Sequence, residues 1–172
     1  MKRILSILLS LMLMAMFYVY AVLQQDEEAQ PDMRWLVQEE KKPLKIIGEV
    51  KSQDAQVLAD AFGANIPVPD KVLEGLCFDA SYKGQNVHRL NIIGENITIQ
   101  GVTPHFAAPL IRSEGLKFTE DSSALLGFPL LKADRPNNNE YYIVTQDAAF
   151  LFKLTGEDTT PLQTLKMISP KQ

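Results

Sequence analysis

One cysteine, two histidines and one tryptophan occur among the 172 residues. The single Cys excludes a disulfide framework within the chain. A structural zinc site built only from Cys and His needs four ligands, more than this chain holds. Neither G-x-G-x-x-G nor G-x-x-x-x-G-K-[ST] is present, so no glycine-rich loop is there to cradle phosphates. No serine stands in G-x-S-x-G. Basic residues number 17 against 21 acidic ones, a net charge of −4, which lacks the excess that nucleic-acid binding draws on. No nucleic-acid partner, metal or cofactor is expected. With 46% apolar and 22% charged residues, the chain is not compositionally disordered.

The strongest positive signal is at the start. Residues 4–23 carry no charge, Gly or Pro, and only Ser6 and Ser10 interrupt the apolar run. As a helix this stretch would rise about 30 Å, enough to cross a bilayer core. Lys2 and Arg3 precede it and Asp26-Glu27-Glu28 follow it, so the positive-inside rule places everything after Leu23 outside the cytoplasm. A signal peptide cleaved after Ala21 is one reading. An uncleaved signal anchor fits the long, bulky run better, with Tyr18 and Tyr20 near the outer interface. Without residues 1–23 the chain keeps 15 basic and 21 acidic groups, a formal charge of about −6.

Residues 24–42 read as a polar linker, with Trp35 placed either to dock a partner or to pack on the domain that follows. Residues 43–172 then form one extracytoplasmic domain. Lys45–Val50 reads as a strand, and Ser52 as the N-cap of a helix over Gln53–Phe62. Val57, Leu58, Ala61 and Phe62 would form its apolar face and Gly63 its end. Ile66–Pro69 is extended, with one further helical turn at Val72-Leu73. Strands follow at Leu76–Tyr82, Val87–Ile93 and Ile97–Val102, joined by turns at Lys83–Asn86 and Gly94–Asn96. Thr103-Pro104 has the chemistry of a short helix start, with Pro109 bending or ending that helix. A strand is expected near Leu116–Thr119, and another over Leu125–Ala133 with Pro129 forcing an edge or a bulge. Tyr141–Thr145 and Ala149–Leu154 flank Gln146-Asp147 as a hairpin, and a last helix starts at Thr160-Pro161 with Leu162, Leu165 and Met167 or Ile168 inward. The expected fold class is α+β: a mainly antiparallel sheet of five to seven strands carrying two or three short helices.

Catalytic chemistry finds little support. His88 and His105 are the only imidazole bases, and neither stands in a triad motif. Cys77, between Leu76 and Phe78, reads as a small buried hydrophobe. The acidic pairs Glu120-Asp121 and Glu157-Asp158 do not follow a calcium-loop spacing, and Asn96-Ile97-Thr98 matches the glycosylation acceptor pattern. Trp35, Tyr141, Tyr142 and Leu165 are the candidate binding surface, weighed against plain core packing. The reading is therefore a non-catalytic domain, tethered through residues 4–23, that binds a protein partner or regulates a membrane-linked process. A carrier for an apolar or lipid-like ligand is the alternative, and a hydrolase comes third.

Overall fold

Strand β1 (Lys45–Lys51) passes directly into a ladder bond, because Ser52 N–H donates to the Gly75 carbonyl at 3.0 Å. That bond holds Ser52 in extended backbone, so the helix start moves two residues on. Asp54 is the N-cap of α1 (Ala55–Phe62), its carboxylate accepting the Gln56 amide at 2.8 Å. Gly63 ends α1 in the left-handed conformation, φ 74°, as its position in the sequence implied. Leu58, Ala59 and Phe62 are buried, whereas Val57 is 41% exposed, so the apolar stripe is rotated from the expected one. The computed structural model describes residues 45–111, 117–134 and 139–171. The expected membrane segment, the linker and Trp35 lie outside the described residues.

The remaining strands are β2 (Ile66–Val68), β3 (Glu74–Tyr82), β4 (Gln85–Ile93), β5 (Ile97–Thr103), β6 (Phe118–Leu125), β7 (Phe128–Ala133), β8 (Glu140–Val144), β9 (Ala149–Leu154) and β10 (Lys166–Ile168). One eight-stranded antiparallel sheet runs β1-β3-β4-β5-β9-β8-β7-β6, and β2 pairs with β10 in a separate two-stranded ladder. The domain is thus dominated by antiparallel sheet with a few short helices, as the pattern of short alternating strands implied, but its main sheet has eight strands rather than the expected five to seven.

Three expectations are corrected. Leu125–Ala133 is not one strand: Leu126 (φ 55°) and Gly127 (φ 85°) form a tight turn that splits it into β6 and β7. Pro129 pairs with Ala124 beside an irregularity in β6, and the β7–β8 ladder is confined to Leu131 and Lys132. The final helix is only α2 (Thr160–Gln163). Beyond it the chain turns extended, because Lys166–Ile168 supplies the partner that β2 needs. Val72 and Leu73 form no helical turn.

A 3-10 helix spans His105–Ile111 with Pro109 inside it, rather than an α-helix ended there. Thr103 does not cap it. That residue ends β5 and donates its hydroxyl to the Asp147 carbonyl at 2.9 Å.

Cross-strand register sorts the side chains onto two faces, since directly opposed residues point the same way. Cys77, Leu90, Gly101, Phe150 and Ile143 form one row of the first face, where α1 brings in Leu58 and Phe62. The rings of Phe62 and Phe150 lie 5.8 Å apart there. On the second face Ala80, Val87, Val102, Ala149, Leu151 and Tyr142 are buried. The 3-10 helix, with Ala107, Ala108 and Ile111 buried, contacts β5 and β9.

Candidate functional site

On the second face the middle of β3–β4–β5 departs from apolar packing. Arg89 stands directly opposite Phe78 on one side and Val102 on the other. Two residues along β4, Asn91 stands opposite Gln100. The two-residue turn at Lys83-Gly84 (φ 49° and 78°) sets this register, since both turn residues take the left-handed backbone that such hairpins require. Phe78, Arg89, Asn91 and Gln100 are all half-buried.

The Arg89 guanidinium carbon lies 5.5 Å from the centre of the Phe78 ring. Ring contact offsets part of the charge but satisfies none of the five N–H donors. Loss of water pulls the guanidinium below its ordinary value, while arginine still keeps its proton at neutral pH. The ion pairs among the described residues, such as Lys71–Glu95, Lys153–Glu140 and Lys166–Asp70, do not include Arg89. Neither the Asn91 nor the Gln100 carboxamide has a hydrogen-bond partner among the described residues. Register thus puts one cation and two amides at neighbouring positions of the second face, none with a protein acceptor among the described residues.

The first face holds a second polar pair where α1 no longer covers it. His88 Nδ1 lies 2.5 Å from Asp79 Oδ1, with both side chains more than 40% exposed. This is the nearest approach to a general base among the described residues. Asp79 is the hydrogen-bond partner of His88, and no serine or cysteine is bonded to the ring. His105 Nδ1 meets the Gln146 carbonyl at 2.9 Å, tying the start of the 3-10 helix to the β8–β9 turn.

The acidic pairs have local explanations. Asp121 accepts from the Ser123 amide and hydroxyl, and Asp158 from those of Thr160, and these bonds hold both carboxyls below their usual range. No group of three or more His, Cys, Asp and Glu stands at metal-binding separation among the described residues. Asn96 is exposed in the β4–β5 turn.

Of the candidate binding residues, Tyr141, Tyr142 and Leu165 are buried, at 5%, 0% and 5% exposure. Their side chains are largely covered by the rest of the described residues. Tyr141 lines an open cleft of about 290 Å³ together with Leu125, Leu130, Leu162 and Asp121. Its neighbour Tyr142 faces the opposite side of the sheet and packs against the Phe118 ring at 5.2 Å. The Arg89 array was missed by sequence reasoning. The available signal was parity: Arg89 and Asn91 share the side of β4 that Val87 takes, and only pairing with β5 adds Gln100 to it.

Cys77 is 2% exposed, and burial, helped by the charge of Asp79, pushes its thiol up to about 12 from an ordinary value of 9.0. A bulky maleimide should label the native chain about a hundredfold more slowly than the urea-unfolded chain. Equal rates would contradict burial. The raised value also ties stability to pH. Below about pH 9 both states keep the proton, whereas between about 9 and 12 only the unfolded thiol ionises. Stability is thus lost as pH rises through that window, and Cys77→Ala should remove this part of the alkaline loss.

No family model, curated protein or solved structure matches this chain.

Proposed function

We propose that the chain is a non-catalytic binding domain, tethered to a membrane through residues 4–23 and held outside the cytoplasm, whose β3–β5 face engages a protein partner. The observation that carries this reading is the Arg89 array. Its donors have no protein acceptor among the described residues and stay open to water, so a partner that supplies acceptors can take the place of water there. Phe78 beside Arg89 adds an aromatic ring and a guanidinium, both of which are enriched at interfaces. The extracytoplasmic placement rests on the charge asymmetry about the apolar run. The alternative, a carrier of a small apolar ligand, draws on the cleft beside Tyr141, whose Leu125, Leu130 and Leu162 would form the contact.

Cysteine accessibility tests location and coverage together, using a thiol reagent that cannot cross membranes. Asn96→Cys lies in the exposed β4–β5 turn, and Gln100→Cys lies in the array. In cells with an intact cytoplasmic membrane, Asn96→Cys should label as it does in the purified full chain. Gln100→Cys should label in the purified chain and be about tenfold protected in the cells. Labelling of Asn96→Cys only after lysis would overturn the placement. Equal labelling of Gln100→Cys in both settings would overturn the interface.

A further inference from the structure

We infer that Arg89, Asn91 and Gln100 form a receptor for a single carboxylate carried by the partner polypeptide. This deepens the proposed function and rests on it. The argument begins with charge. Arg89 brings one positive charge to this patch, and Lys153, also on the second face, is already held by Glu140 at 3.1 Å. The exported chain as a whole is acidic, with 21 Asp and Glu against 15 Lys and Arg, Arg89 included, once Lys2 and Arg3 are set aside. One guanidinium matches one monoanion. A phosphate dianion would leave a net negative charge in a half-buried site on an already acidic domain.

Geometry narrows the choice further. The planar guanidinium fork pairs with the two oxygens of a carboxylate through parallel N–H bonds. Phe78 restrains the Arg89 head from the β3 side, which reduces the ordering that binding must supply. Asn91 and Gln100 stand two residues along and directly opposed, so their uncharged N–H groups extend the donor array without adding charge. An acceptor-only group fits such a set, and an ionised carboxylate is acceptor-only.

Side-chain NMR of the full chain in detergent micelles, following the Arg89 Nε–Hε resonance, tests the inference. The probes are acetate, inorganic phosphate, a peptide of neutral side chains ending in a free carboxylate, and its amidated form carrying one internal Glu. A saturable Arg89 shift is expected with acetate and with at least one of the peptides, and which peptide responds separates a chain terminus from a side chain as the source. Arg89→Lys should bind about tenfold more weakly because the fork is lost, and Arg89→Gln should abolish the response in the Asn91 and Gln100 amide signals. Asn91→Ala and Gln100→Ala should each weaken binding about threefold to tenfold. If Arg89→Gln does not fold, the two alanine variants carry the test.

No saturable shift with any carboxylate, tighter binding of phosphate than of acetate, or equal binding by Arg89→Lys would overturn the inference. Protection of Gln100→Cys in cells that persists without carboxylate binding would leave the interface standing and remove only its chemistry.

Discussion

Replacing Leu165 with Asp is expected to lower the midpoint of urea unfolding of the full chain sharply. Leu165 is 5% exposed and belongs to the cluster on the first face that also contains Leu162, Ile66 and Phe152. It lies between α2, which is a single turn, and β10, which is three residues long. Neither element is stable by itself, so both depend on side chains that reach into the core. A carboxylate there loses the apolar burial and gains an unpaired charge, together about 3–5 kcal/mol. That is a large share of the roughly 5–15 kcal/mol that holds a domain folded. Leu165→Ala, which loses packing alone, should cost about 2–3 kcal/mol. An unchanged midpoint for Leu165→Asp would mean that the side chain contributes nothing to the interior. Leu165 would then return to the candidate binding surface.

Gly75→Ala is the second large effect expected. A Cβ at Gly75 would stand 2.6 Å from the backbone oxygen of Ser52 and closer still to Cδ1 of Leu58. Leu58 can change rotamer, but the Ser52 backbone is fixed because its own amide bonds the Gly75 carbonyl. The methyl therefore presses β1 away from β3 where α1 packs over them, a strain of about 1–3 kcal/mol. Leu58→Ala destabilises the core by itself. In that background Gly75→Ala should cost less than in the original chain and still more than nothing, because one of the two collisions is cleared and the other stays. Thermal unfolding of the two single variants and the double variant measures this coupling. No cost of Gly75→Ala in the Leu58→Ala background, or a Gly75→Ala chain that melts like the original, would contradict the geometry.

Both effects depend on tertiary neighbours, and the same dependence decides what could be read from the chain. Tyr141–Thr145, Ala149–Leu154 and the hairpin around Lys83-Gly84 were legible because alternation and turn chemistry agree locally. The β6–β7 turn was not legible, because Leu126 is an apolar residue in a conformation usually given to Gly or Asn. Leu162, Leu165 and Ile168 fit helical spacing, yet the last of them belongs to a strand whose partner, Ile66, lies far back in the sequence. Ser52 and Asp54 are comparable caps by composition, and the ladder bond from Ser52 to Gly75 decides between them. The Arg89 array needed three strands in register before its members could be grouped. Sequence separation hid the site more than chemistry did.

The closing stretch of the chain also sets an order of events. Lys171 N–H donates to Asp60 at 2.7 Å across 111 residues, the Ser169 carbonyl accepts from Gln56, and β10 completes the ladder that β2 begins. During synthesis, Ile66–Val68 emerges long before Lys166–Ile168, so its backbone must wait without its mate. A chain threaded across a membrane would therefore complete the first-face core only after Ile168 had crossed. Until then the residues already across would stand as a partly built sheet with α1 unclasped. Were the chain exported as proposed, export and the last step of folding would be linked in this way, and a stalled chain would remain a substrate for chaperones and proteases on the far side.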